Sequence, residues 1–442
     1  MTVRPPSPPC LLAGDLLDFP GPASPRLRRG LLAIGPDATI ARVVETQDPS
    51  QPPPAELAAF GPPVPVGLIL PGLIDLHTHW PQWPIIGSDG LQLLEWLRTI
   101  VFPAEAAFKD PAIAYQTTRS MAGALLASGT TTAVAFSSSH PGPAFDAVVD
   151  ALRDAGLRCH CGPALMDQHC PPELAVAAAE VLPRLAALAD ELPARTAGRV
   201  ELAVSPRFSL CCSADLMQQA ARLAAARKLV VQTHLAENLD ECAEVARRFP
   251  AAASYTDVYD RAGMLGPRTL LAHGIHLSPA ELEQIAQAGA SIVHCPLANS
   301  FLRSGQFAWS RTESAGVGVG LGTDIGAGYR PGLPAVGAAA IATAKQRSLA
   351  HPDEPGSIPT PARVWHAMTA GAAACIGAGQ RLGLLEPGCT ADLVLIEPGA
   401  SWPLPPATLD LLVSRLLYGW DLLSRRTMVA GRLVGSFAPQ SA

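Results

Sequence analysis

The run GLIDLHTH, residues 72–79, is short, rich in branched apolar residues and closed by two histidines two positions apart. Its length and its flanking Gly and Pro mark it as a strand. Seven further runs of the same kind follow: TTAVAFSS (131–138), LRCHCGPAL (157–165), VELAVSP (200–206), LVVQTHLA (229–236), TLLAHGI (269–275), ASIVHCP (290–296) and GVGVGLGTD (316–324). Between them lie stretches of helical periodicity, such as AFDAVVDALRDAG (144–156), SADLMQQAARLAAARK (213–228) and SPAELEQIAQAG (278–289). The last has Ser278 and Glu281 in capping-box spacing and ends at Gly289. Eight strands alternating with helices, several of them apolar on both faces, predict an α/β protein built on a parallel (β/α)8 TIM-like barrel.

Outside the barrel the pattern changes. LLAGDLLDF (11–19), GLLAIG (30–35) and ATIARVV (38–44) read as strands, and GLLEPGCTADLVLIEPG (383–399) and TMVAGRLVGS (427–436) return to β character in the tail. The simplest arrangement joins them as a small β-sandwich domain built from both chain ends. The expected division is 1–65 and 385–442 for that domain and 66–384 for the catalytic barrel. PSQPPPAE (49–56) and GPPVP (61–65) read as a stiff linker. Proline is one residue in ten; it gathers at Pro52 to Pro65 and Pro398 to Pro406, and at strand ends as Pro81, Pro206 and Pro296. Proline and glycine together stay below a fifth of the chain, which argues for a packed protein.

The 442 residues carry a net charge of -6 and no basic stripe, which argues against a nucleic-acid partner. The ten cysteines form no C-x-x-C pair or disulfide framework and suggest reduced thiols. No secretory signal is legible at the start, and prolines break the uncharged stretch between Glu56 and Asp75, so no membrane span is expected.

The chemistry is signalled by where histidines fall. His77, His79, His234, His273 and His294 lie at or near the ends of strand candidates, and Asp324 ends the eighth. In a barrel that edge is the catalytic rim. His77 and His79 project to one face of their strand. Two such histidines, further rim histidines and an aspartate suit Zn2+ or Fe2+ with an open position, where a bound water becomes a nucleophile at neutral pH. Glu237, three residues beyond His234, is placed to act as general acid and base. Asp75 points to the opposite face of its strand and reads as structural. His276, three past His273, is expected to face the loop, and His140, His160, His169, His351 and His366 have no partner spacing.

The order PGLIDLHTH, HLAE, AHG and GTD resembles the amidohydrolase superfamily over nearly the whole chain. HTHWPQ (77–82), LLEWLRTIVFPAE (93–105), GTTTA (129–133), SPRFSL (205–210) and TDVYD (256–260) resemble its guanine deaminase family more narrowly. The resemblance implies one zinc per subunit, with Fe2+ as the alternative, held by His77, His79, His234 and Asp324. It implies His273 beside the attacking water, and Glu237, Asp324 and His273 as the catalytic groups. For substrate binding it implies Trp80, Pro81, Gln82, Arg207, Phe208, His234 and Glu237, with His294 helping to shape the pocket. It further implies zinc-dependent deamination of guanine to xanthine and ammonia in purine catabolism or salvage, by a cytoplasmic homodimer acting on a small-molecule purine.

Neither candidate for strand four, the run holding His160 or the one ending at Pro206, contains a lysine; the chain has only Lys109, Lys228 and Lys345. The carbamylated lysine of two-metal relatives therefore has no counterpart, and a single metal is expected. Another aminated ring, a triazine, a pterin, 8-oxoguanine or cytosine, is the alternative substrate. A non-catalytic scaffold is the remote one, disfavoured by an intact ligand set.

Overall fold

The structure, a computed structural model, describes residues 7–49, 51–354, 356–397 and 407–439. Eight strands form one parallel sheet in sequence order: β5 (Leu73–His79), β6 (Thr130–Ser137), β7 (Arg158–Leu165), β8 (Val200–Pro206), β9 (Val230–Leu235), β10 (Thr269–His273), β11 (Ser291–His294) and β12 (Gly318–Leu321). Each coincides with one predicted run. They are buried almost throughout because helices cover their outer faces while side chains fill the interior.

The seam between β5 and β12 is crossed by hydrogen bonds. The Asp324 amide donates to the His77 carbonyl at 2.9 Å. Asp75, at the start of the seam, accepts from the Thr323 amide at 3.0 Å and its hydroxyl at 2.5 Å, and from the His77 amide at 3.2 Å. Asp75 is thus a structural clasp, as its place on the opposite face of the strand suggested. A side chain on Gly322 would collide with His77, its Cβ falling 2.7 Å from that of the histidine, so only glycine lets the strand end approach so closely.

A second, mixed sheet of seven strands comes from both chain ends. Its members are β1 (Cys10–Gly21), β2 (Ser24–Ile34), β3 (Ile40–Glu45), β4 (Pro63–Pro71), β13 (Leu393–Ile396), β14 (Arg425–Val429) and β15 (Arg432–Phe437), in the order β15-β14-β13-β4-β1-β2-β3. Residues Leu12, Leu16, Leu32 and Ile34 pack on one face, and Leu11, Ala13, Leu31 and Ala33 on the other. The run LLAGDLLDF is apolar on both faces for that reason. Further along β1, Phe19 stacks on Trp365 of the barrel's helical shell with ring centroids 5.5 Å apart.

Two readings of the sequence are corrected here. The Pro-rich stretch is not only a linker: Ala55–Phe60 is a 3-10 turn, and β4 begins at Pro63 and runs to Pro71 inside the mixed sheet. Pro63 and Pro65 are in register with Leu11 and Ala13 of β1, and they are tolerated because β13 pairs only with Leu68 to Pro71, leaving them open on that side. The tail also contains a helix, Leu409–Tyr418, whose Thr408 hydroxyl caps the Leu411 amide and whose buried Val413, Leu416 and Leu417 have helical spacing. Pro398 to Pro406 lie outside the described residues. Pro206 ends β8, Pro81 lies in the 3-10 turn Trp80–Ile85, and Pro296 opens the helix Pro296–Phe301.

Candidate active site

The C-terminal rim gathers the predicted ligands. His77 and His79 Nε2 lie 3.2 Å apart, and His79 and His234 Nε2 3.3 Å apart. Asp324 Oδ1 stands 3.3 Å from both His77 and His79 Nε2. Ligand atoms about 2.0–2.1 Å from a tetrahedral ion stand about 3.3 Å apart, so this spacing fits one small divalent cation. Without a cation, imidazole lone pairs aimed at one another at this range would repel. Burial, aided by the neighbouring His77, pushes His79 down to about 3; His234 is pushed well below the usual histidine range by burial and by His77 and His79. Neutral imidazole is the form that binds metal. Burial opposes charge on Asp324, yet hydrogen bonding to His77 and His79 outweighs it and holds the carboxyl well below the usual range. Phe136, on β6, packs against the rings of His77, His79 and His234 at 5.7, 5.0 and 5.1 Å and gives the cluster a dry backing.

Partners behind the cluster orient it. His234 Nδ1 donates to the Arg207 carbonyl at 2.7 Å, which leaves Nε2 with its lone pair. His273 Nδ1 meets Asn299 Oδ1 at 2.8 Å. That bond turns His273 Nε2 toward Glu237 Oε2 at 3.3 Å and Asp324 Oδ2 at 3.7 Å. His273 Nε2 has no hydrogen-bond partner, and His273 and Asp324 both adopt positive φ, 72° and 48°. Strained backbone and an unpartnered buried nitrogen at one point mark a place where geometry is held for chemistry.

Glu237 sits in this group. Burial, then the charges of Asp324 and Glu241, push its carboxyl well above the usual range, while a hydrogen bond from the Ser304 hydroxyl to Oε1 at 3.1 Å opposes the rise. Glu241 fixes the turn that carries it by accepting from the Glu237 and Asn238 amides at 2.9 and 3.1 Å and from the Tyr255 hydroxyl at 2.7 Å. A raised carboxyl beside a lowered one is the arrangement that divides proton donor from proton acceptor.

Above the cluster lies a small pocket. Gln82, Arg207, Phe208, His234, Glu237, His273 and Asp324 line it, with an apolar wall from Leu93, Trp96, Leu97 and Leu302. Trp80 and Pro81 are not among its lining residues: Trp80 is fully buried in the core, and Trp96 supplies the aromatic surface. His294 is not among the lining residues either; it stacks on Phe307 at 4.5 Å and lies edge-on to Trp309 at 5.9 Å. Arg207 is paired with Glu105, Nη1 to Oε1 at 2.5 Å, and Gln82 Oε1 accepts from the Gly326 amide at 3.2 Å.

Asn299, Ser304 and Glu105 escaped the sequence reading. Glu105 stands inside the run LLEWLRTIVFPAE and Asn299 three residues beyond ASIVHCP, next to segments the sequence singled out. Ser304 is 67 residues from Glu237 and carries no local signal.

A sequence model of the amidohydrolase family matches residues 68–434. The chain is 35% identical over 377 residues to a probable guanine deaminase of Deinococcus radiodurans, covering 84% of this chain and 83% of the relative. It is 33% identical to the guanine deaminase of Escherichia coli over 83% of both chains. A crystal structure of guanine deaminase from C. acetobutylicum with bound guanine in the active site superposes with a TM-score of 0.86 at 27% identity, covering 96% of this chain and 99% of that one.

Proposed function

The chain belongs to the amidohydrolase family, and from that premise we propose that it is a metal-dependent enzyme that hydrolyses guanine to xanthine and ammonia. The observation that carries this reading is the convergence of His273 Nε2, Glu237 Oε2 and Asp324 Oδ2 beside the four-ligand cluster, under a cavity walled by Arg207, Gln82 and Phe208. His77, His79, His234 and Asp324 would hold one zinc, with ferrous iron as the alternative. When bound, the ion lowers the pKa of a water toward neutrality and so supplies a nucleophile.

The chain's own groups move the protons. Asp324 takes a proton from the attacking water through Oδ2, while His273, turned by Asn299, orients that water. As the new C–O bond forms at C2, the electron pair of the C2–N3 double bond moves to N3, which takes the proton held by Glu237. The proton on Asp324 passes to the amine, the C–N bond breaks and ammonia leaves, while the new hydroxyl on C2 gives its proton to the Glu237 carboxylate as the C2 carbonyl forms. Arg207 and Gln82 meet the polar edge of the ring, and Phe208 and Trp96 exclude water from its faces. In this reading the barrel carries the chemistry and the mixed sheet supports it. Among the described residues no helix is long and apolar enough to cross a membrane. A homodimer in the cytoplasm, working in purine catabolism or salvage, completes the proposal.

The test is direct: zinc-loaded protein should abolish the guanine absorption band with release of one ammonia per guanine. A protein that leaves guanine untouched and consumes a triazine or pterin would overturn the substrate and keep the chemistry.

A further inference from the structure

Glu105 takes part in no step above, yet its side chain is only 1% exposed and that of its partner Arg207 only 2%. Glu105 Oε1 accepts from Arg207 Nη1 at 2.5 Å and from Gln82 Nε2 at 3.4 Å, so one oxygen holds both polar groups of the cavity's edge. Glu105 Oε2 is buried with no hydrogen-bond partner, an arrangement that costs stability. Arg207 is fixed from two more sides. The Phe102 ring lies 5.5 Å from its guanidinium carbon, and its carbonyl receives the hydrogen bond from the metal-cluster residue His234. Phe102 and Glu105 share the short helix Phe102–Ala107, which follows a π-helical turn at Leu97–Val101. Such turns recur where a helix is bent to serve a site.

Arg207 is the one permanent cation among the residues lining the cavity. An unbalanced guanidinium in so enclosed a place would attract any anion that fitted. Paired with Glu105 it keeps its N–H donors and loses its net charge. We propose that Glu105 is a positioning residue that sets specificity. It cancels the charge of Arg207, so that the cavity selects neutral heterocycles over anionic ones, and it fixes the angle at which Arg207 and Gln82 meet the ring. The identity of the ring rests on the guanine reading; the charge selection does not.

The experiment compares purine-6-carboxylate with its neutral amide as inhibitors of the zinc-loaded protein and of two variants. In the unaltered protein the amide binds more tightly. In Glu105→Gln the carboxylate should gain about tenfold or more relative to the amide, because a buried charge has lost its partner. The guanine KM should rise about fivefold or more, with a much smaller change in kcat, the signature of lost binding. Glu105→Asp keeps the charge on a shorter stem. Its guanine KM should rise while the carboxylate-to-amide ratio stays that of the unaltered protein, so it carries the test if Glu105→Gln fails to fold. An unchanged ratio in Glu105→Gln, or a shifted one in Glu105→Asp, overturns the proposal. So does a fall of kcat together with zinc content and melting temperature at an unchanged ratio, which is what a merely structural glutamate would give. If guanine is not a substrate, the unaltered protein shows that by itself, and the same ratio is read from calorimetric binding of the two probes.

Discussion

Buried carboxylates occur both on the barrel rim and in the mixed sheet, and they are treated in opposite ways. In the sheet, Asp18 accepts from Arg26 at both oxygens, 2.9 and 2.6 Å, and also from Arg28 and the Leu385 amide. Asp392 is bonded at both oxygens by Arg158 and by the Ala430 amide. On the rim, Glu105 leaves one buried oxygen unpartnered, and His79 Nδ1 and His273 Nε2 are bare of hydrogen bonds. The sheet's two carboxylates are closed structural clips. On the rim, His273 Nε2 is left open beside Glu237 and Asp324, where a water would supply what is missing.

The contrast breaks if rim and sheet respond alike to substitution. The largest expected effect is at Glu237. Changing it to Gln should lower kcat by about 10²- to 10⁴-fold, roughly 3 to 5 kcal/mol, while zinc content by metal analysis stays stoichiometric. Next, Asp18→Asn should cost about 3 kcal/mol of stability in denaturant melts, the low end for a broken buried pair because Arg26 is partly exposed. The remaining folded protein should retain its turnover per zinc; a loss of turnover would erase the distinction between clip and site. Asn299→Ala should then lower kcat/KM by roughly 10- to 100-fold, since His273 loses the partner that sets its tautomer.

The smallest effect concerns His294. Burial, then the neighbouring His273, pushes it down to about 3, and its Nδ1 has no partner. Below its unfolded value of about 6.5 the unfolded chain takes up a proton that the folded one refuses. Its contribution is therefore complete above that pH and is lost progressively as pH falls toward the folded value. At pH 5.5 the loss is about 1.4 kcal/mol. In denaturant melts His294→Phe should flatten the fall in stability between pH 7 and pH 5.5 by about 1.3 kcal/mol; an unaltered slope would assign the acid sensitivity elsewhere.

Legibility in the sequence followed the range of the interactions. Strands β5 to β12 could be read because burial on both faces forces runs of apolar residues, and the helix Pro279–Ala288 because Ser278, Glu281 and Gly289 punctuate it locally. Strand β4 could not, since its prolines argue for a linker until β1 and β13 are seen on either side of it. The helix Leu409–Tyr418 was hidden in a Leu-rich tail that is equally good strand material. At the site, His77, His79, His234 and Asp324 were visible because each lies at or near the end of a strand. The resemblance implied Trp80 and Pro81 for substrate binding, whereas both are buried in the 3-10 turn after β5 and the aromatic lining residues are Trp96 and Phe208.

What the sequence determined alone is the periodic scaffold and the kinds of side chain delivered to its rim, because strand alternation and strand ends are local properties. What only the tertiary structure decided is which groups face one another across the barrel: Glu105 against Arg207, Asn299 behind His273, Ser304 on Glu237 and Asp75 across the seam to Thr323. Those pairs join residues 26 to 248 positions apart. Nothing local in the chain encodes them, yet they fix the tautomer, charge and angle on which the proposed chemistry depends.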